Sequence, residues 1–252
     1  MSGSWGNSHF VRAGETGILI DAGQSGKQIL ANMAASGCGS QSAIKAIIVT
    51  HAHRDHVAGV GVLARLLGVD VYATEGTWFE MNAIIGDIPE KQHKTIECSG
   101  KWSIGCLDIE AFPTSHDALE SVGYVIRSEE KALGIATDAG VFTSRMEQVL
   151  RDMHLLVLEA NHDLDMLRTG KYPYFLKKRI AGINGHLSNN DAGNALRKIA
   201  GNETRHVVLA HLSQENNTWE KAMETVMQAV PHMQQALSVA PRCTPGQRIC
   251  IA

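Results

Sequence analysis

The chain has 252 residues, 44% of them hydrophobic and 19% charged, which supports a sizeable core and excludes a disordered or fibrous protein. Its formal net charge of −3 excludes a molecule that coats nucleic acid by overall positive charge, so any affinity for phosphate must come from a local patch or from metal. No apolar run approaches the ~18 residues of a membrane span, MSGSWGNSHF lacks the basic start and apolar core of a signal peptide, and Cys38, Cys98, Cys106, Cys243 and Cys250 form no CxxC pair. The expectation is therefore a cytoplasmic protein with reduced thiols. In that compartment the Asn-x-Thr triplets at Asn202 and Asn216 carry no meaning.

In chain order, GILID at 17–21 reads as a strand and 27–36 as a helix. IKAIIV at 44–49 reads as a buried strand, and 57–67 as a helix with its apolar face inward. VYAT at 71–74 is a strand and 76–85 a helix, and 94–112 holds two or three strands with Gly100 and Gly105 at the turns. Further strands are expected at 122–126, 132–136, 155–159 and 206–210. Helices are expected at 143–152, 189–200 and 218–229, with Ser188 and Asp191 as first-turn signals for the second of these. Repeats, low-complexity segments and linkers are lacking, so the expectation is one domain over 1–252. Strand–helix alternation around a β-rich middle predicts an α/β sandwich.

The strongest signal is Thr50-His51-Ala52-His53-Arg54-Asp55-His56, directly after IKAIIV. With 12 His in the chain, composition alone would yield HxHxDH in roughly one such chain in a thousand. A strand that ends in a tight turn presents alternate side chains together, so His51 and His53 reach one cation while Asp55 and His56 turn towards a second. Imidazole with carboxylate suits zinc, and also manganese or iron. Three more candidates each follow an apolar strand: His116 in FPTSHD, Asp138 in GIATDAG and His211 in VVLAHLS. Ligands at successive strand ends meet at one edge of a sheet. A carboxylate has two oxygens, so Asp138 is the natural bridge between two cations.

This set, in this order, resembles the metallo-β-lactamase superfamily, whose fold is an αβ/βα four-layer sandwich. The resemblance implies two divalent metal ions, with His51, His53 and His116 on one, Asp55, His56 and His211 on the other, and Asp138 shared. Asp21 in LIDAG fits the early aspartate of that family, which orients a histidine by hydrogen bond. A carboxylate at the Asp138 position points away from true β-lactamases towards thioesterases and phosphodiesterases. SGSWGNS at 2–8, LEANHD at 158–163, LRTGKYPYFLKKRI at 167–180, GHLSNND at 185–191 and AHLSQENNT at 210–218 are similar to the YycJ/WalJ-type exonuclease group. That group implies a DNA 5′-exonuclease in which a hydroxide shared by the metals attacks phosphorus in line. Trp5 departs from the small or charged residue usual at its position.

The residues themselves add to this. Between 166 and 190 stand Arg168, Lys171, Lys177, Lys178 and Arg179 with no acidic residue, and Tyr172, Tyr174 and Phe175 lie among them. Basic groups interleaved with aromatics suit a strand backbone and an unstacked end base. In tRNase Z and related nucleases of this fold, a histidine between the bridging aspartate and the last metal histidine protonates the leaving oxygen. His186 lies in that interval and joins Asp138 and Asp55 as a catalytic candidate. Asn161 and His162 are candidates either for substrate contact or for bracing His186, whereas His9, His93, His154, His206 and His232 show no such context. The competing expectation is a hydrolase of small lactams, lactones or thioesters on the same metals, which would have no use for the basic stretch.

Overall fold

The computed structural model describes residues 2–3, 6–38, 41–242 and 244–251, so Trp5 and Cys243 lie outside the described residues. Two sheets face each other. The first has the order β1 (His9–Ala13), β2 (Thr16–Ile20), β3 (Ile44–Ile48), β4 (Asp70–Thr74), β5 (His93–Ile96), antiparallel at the first pair and parallel beyond it. The second contains β6 (Lys101–Ile104), β7 (Leu107–Pro113), β8 (Val122–Ser128), β9 (Lys131–Ala136), β10 (Leu155–Glu159), β11 (His206–Ala210) and β12 (Leu237–Val239), in the order β12-β11-β10-β9-β8-β7-β6. It is antiparallel from β6 to β9 and parallel from β9 to β12.

Side chains alternate across a strand, and this sorts the core into three slabs. Ile18, Ile20 and Ile48 of the first sheet meet Ile109, Tyr124 and Ile135 of the second. Their neighbours Leu19 and Ile47 point outward onto α1 (Gly26–Ala35), α3 (Val60–Leu67) and α4 (Glu75–Ile85) through Ile29, Leu63 and Met81. On the far side Leu156, Leu158 and Leu209 pack against α5 (Ser144–Val149), α8 (Asn189–Ile199) and α9 (Trp219–Ala229) through Met146, Leu196 and Val226. Helix, sheet, sheet, helix is the four-layer sandwich expected. Each fully buried aliphatic side chain contributes about 1.5–3 kcal/mol to holding it together.

The structure also corrects the sequence reading locally. The helix expected over 57–67 is two helices, α2 (Arg54–Val57) and α3. The chain bends at Gly59, where a β-carbon would collide with the Gln24 carbonyl oxygen. Helix α5 is shorter than 143–152, starting on the Thr143 cap. The stretch at 94–112 holds three strands, counting β5, and Gly105 turns the last hairpin at φ 57°. Strands β1 and β12 were not expected, nor were the short helices α6 (Leu164–Thr169) and α7 (Tyr174–Ile180). The Ser188–Asp191 signal is a complete capping box: Ser188 Oγ accepts from the Asp191 amide, and the Asp191 carboxylate accepts from the Ser188 amide.

Parallel strands deliver their carboxyl ends to one edge. Asp21 follows β2, the HxHxDH loop follows β3, Asp138 follows β9, Glu159 ends β10 and His211 follows β11. Asp21, Asp138 and His211 all have left-handed backbones, with φ of 58°, 58° and 57°. For residues with a β-carbon this costs on the order of 1 kcal/mol each, and such strain clusters at functional sites.

Candidate metal centre

The three candidate ligands outside the HxHxDH loop, His116, Asp138 and His211, close into one cluster with it. His53 Nδ1 lies 3.2 Å from His51 Nε2 and 3.3 Å from His116 Nε2, a triangle of nitrogens that one cation can fill. Asp55, His56 and His211 form a second group of three around another point. Asp138 stands between them: its Oδ1 is 3.6 Å from His116 Nε2 and 3.3 Å from His211 Nδ1, and its Oδ2 is 3.5 Å from His56 Nε2. All seven residues named as metal ligands from the sequence are therefore brought together, in overlapping groups of which one joins Asp138 and His211 to Glu159 and His186.

Asp138 Oδ2 is buried and has no hydrogen-bond partner. A buried, unpaired carboxylate oxygen is expensive to keep, and a divalent ion is the partner that this donor set fits. The electrostatics agree. Burial disfavours charge on His56, yet Asp138, Asp21 and Asp55 push its pKa up to about 9. Burial likewise opposes charge on His211, and Asp138, Asp55 and Glu159 raise it well above the imidazole range. The carboxylates outweigh the surrounding dielectric, which is an environment made for cations.

Asp21 lies where expected. Its Oδ2 is 2.7 Å from His56 Nδ1 and accepts from Thr50 Oγ1 at 2.8 Å, while Oδ1 accepts from the Thr50 amide. With Nδ1 so engaged, His56 offers Nε2 to a metal.

Two residues of the cluster escaped the sequence reading. Glu159 is fully buried; its Oε1 accepts from His186 Nδ1 at 2.8 Å and His211 Nδ1 at 2.9 Å, and its Oε2 accepts from the amides of Ala139 and Leu187. Burial alone would raise its pKa, but His186 and His211 hold the carboxyl well below the usual range. The available signal was its place as the last residue of the apolar strand LLVLE. Asn7 is the other: its Nδ2 lies 2.9 Å from His56 Nε2 and 3.2 Å from Asp55 Oδ2.

His186 stands beside the cluster, with Nδ1 on Glu159 and 3.7 Å from Asp138 Oδ1. Asn161 and His162 are buried. Asn161 donates to the His211 carbonyl at 2.8 Å, and the His162 carbonyl accepts from the Asn189 amide. Their contacts thus brace the His211 and His186 segments. Arg168, Lys171, Tyr174, Lys178 and Arg179 are exposed, and Tyr172 and Lys177 are half-buried. Arg168 pairs with Asp165, the Lys177 ammonium donates to the Arg168 carbonyl, and Lys178 sits over the Tyr174 ring. Arg179 pairs with Asp117, whose other oxygen is 3.5 Å from His116 Nε2. His116 Nδ1 is 3.1 Å from the Gly185 carbonyl oxygen, which ties the end of the basic stretch to the cluster a second time.

Gly23 lets the loops converge. A β-carbon there would overlap the Asp55 carbonyl oxygen and press on the Asn7 amide nitrogen, which donates to that carbonyl at 2.7 Å. Gly23→Ala is expected to destabilise the fold by about 3 kcal/mol or more and to lower metal content. Thermal unfolding and elemental analysis of the purified variant check both.

Comparison with known proteins follows the same lines. Residues 16–212 match the model of the beta-lactamase superfamily domain. The chain is 39% identical over 229 residues to exodeoxyribonuclease YycJ of Bacillus anthracis, covering 91% of this chain and 86% of that one. It is also 39% identical over 228 residues to exodeoxyribonuclease WalJ of Streptococcus pneumoniae, covering 90% and 84%. The fold is similar to that of the metallo-β-lactamase fold protein YhfI from Bacillus subtilis, with a TM-score of 0.72 at 15% identity over 95% of this chain and 92% of that one. Zn(2+)-bound PqqB from Methylobacterium extorquens superposes with a TM-score of 0.71 at 20% identity, over 97% and 87%. The chain thus belongs to the metallo-β-lactamase-fold superfamily of metal-dependent hydrolases, in the group of the YycJ and WalJ exodeoxyribonucleases.

Proposed function

We propose that this hydrolase is a dinuclear phosphodiesterase that removes nucleotides from DNA, from the 5′ end, and works in the cytoplasm. The observation that carries the reading is the bridging position of Asp138 between two ligand groups, beside a basic stretch that is tied to the same cluster through Arg179 and Gly185. The identity to exodeoxyribonucleases supports the substrate class. Zinc and manganese both suit the donor set, with iron a further choice.

When bound, two divalent ions supply charge neutralisation on phosphoryl oxygens and a water-derived nucleophile at neutral pH. The chain's own residues do the rest. Asp138 sets the spacing of the two ligand groups. Asp21 fixes the His56 ring so that Nε2 faces the centre. Glu159 accepts the Nδ1 protons of His186 and His211, so His186 in its imidazolium form carries a second proton on Nε2 that it can hand to the departing sugar oxygen. Lys171, Lys177, Lys178 and Arg168 attract the strand backbone, and the exposed Tyr174 and Phe175 rings offer faces to an end base.

Lys171→Glu combined with Lys178→Glu tests the substrate class. DNA binding is expected to weaken by about tenfold or more near 0.1 M salt, with the slope of log affinity against log salt reduced by about two. Filter binding across a salt series, with metal content as the folding control, reads this directly. Unchanged DNA affinity and unchanged slope would remove the basic stretch from the substrate path.

A further inference from the structure

Near the N-terminus Ser2 and Asn7 are buried, and the Asn7 side chain reaches the second ligand group. Asn7 is buried, and its orientation is fixed by chemistry. Its Oδ1 accepts from the Gly3 backbone amide at 2.8 Å and from Ser2 Oγ at 2.9 Å. A backbone N–H can only donate, so the oxygen must face Gly3 and the NH2 must face the metal centre. That NH2 also donates to the Gly3 carbonyl at 3.3 Å, which leaves one hydrogen for the centre.

The remaining hydrogen meets two atoms, His56 Nε2 and Asp55 Oδ2. Since Asp21 engages His56 Nδ1, Nε2 carries the lone pair that a cation takes. An amide NH2 cannot ligate a metal, and once that lone pair is used its hydrogen keeps only the long contact to Asp55 Oδ2 at 3.2 Å, which an oxygen bound beside it can share. It is then a preset donor beside a cation, and Ser2 and Asn7 are pinned by four hydrogen bonds. Asn7 N donates to the Asp55 carbonyl, the Asn7 carbonyl accepts from Gly23, Ser2 Oγ accepts from the His211 amide, and Ser2 N donates to the Pro241 carbonyl. A donor held in this way stabilises a developing negative oxygen without reorganising.

We propose that Asn7 is a substrate-contacting residue, whose side-chain NH2 donates to a non-bridging oxygen of the phosphoryl group at the second ligand group. This rests on the phosphodiesterase reading for its substrate, but its test does not depend on turnover. The probe is inorganic phosphate, titrated calorimetrically into metal-loaded wild-type, Asn7→Ala and Asn7→Asp proteins, with metal content and thermal midpoint measured on each. Asn7→Asp keeps the oxygen that accepts from Gly3 and Ser2, so it preserves the segment if the alanine variant fails to fold.

The expected result is full metal content in both variants, with phosphate affinity down about ten- to hundredfold for alanine and further for aspartate. Wild-type phosphate affinity in either variant overturns the proposal. So does the loss of a metal ion in both, which would make Asn7 a positioning residue for Asp55 and His56. Wild-type protein that binds no phosphate also overturns it. Wild-type protein that binds phosphate but cleaves no DNA leaves the donor in place and sinks only the nuclease reading.

Discussion

Asp138→Ala is expected to reduce phosphodiester turnover at least about a thousandfold, since the bridging carboxylate is asked to supply several kcal/mol of organisation at the reacting phosphorus. Metal content should fall from the two ions per chain proposed above towards one or none. The same substitution also acts on the metal-free protein. There Asp138 compensates the buried His56 and His211 imidazoles, so its removal should lower the thermal midpoint by a few degrees. Metal is expected to raise the midpoint of the wild-type protein by binding the folded state, and this gain should largely vanish in the variant. Scanning calorimetry of chelated and metal-loaded samples separates the effects. A variant with two ions and normal turnover would remove Asp138 from the centre of the account.

His186→Ala should lower kcat by about 10²–10⁴-fold while both ions stay bound, which is the behaviour of a lost proton donor. Its partner Glu159 gives a sharper version of the same test. Both edges of that carboxylate accept: one faces two imidazole Nδ1 atoms, the other two backbone amides. Glu159→Gln keeps the shape but places an NH2 against two donors whichever way it turns. The expected penalty is about 1–3 kcal/mol in stability, together with a fall in kcat as His186 loses the acceptor that holds its Nδ1 proton. Stopped-flow or steady-state rates with metal analysis check both variants. If Glu159→Gln turned over like wild type, Glu159 would be a structural brace and no more.

The sequence made the ligands legible because their rule is local. His51, His53, Asp55 and His56 follow one strand at fixed spacing, and Asp138 and His211 each sit one or two residues beyond an apolar run. The sandwich was legible for the same reason, since runs such as GILI and IKAII alternate faces within a few residues. Glu159 and Asn7 obey no local rule. Glu159 is the charged end of a strand until β9, β11 and the 186–187 loop surround it, and Asn7 is one polar residue among Gly and Ser until Gly23 lets three loops meet. Strand β1 was hidden by its half-exposed HFVRA pattern, and β12 by its length of three residues. Helices α6 and α7 were obscured by Gly170 and Pro173, which separate them, and α7 buries no residue that would have given a helical stripe. Asn161 and His162 lie within LEANHD, which left substrate contact and bracing of His186 both open; their hydrogen bonds run to the His211 carbonyl and the Asn189 amide.

The central claim is that one pair of cations, held by these seven side chains, hydrolyses the DNA backbone from its 5′ end. The direct test is a duplex labelled on its 5′ phosphate, incubated with the protein after chelation and again after manganese or zinc is restored. The account predicts labelled mononucleotide as the first product in the restored samples and none in the chelated one. Intact DNA in every sample, or cleavage indifferent to the chelator, would contradict it.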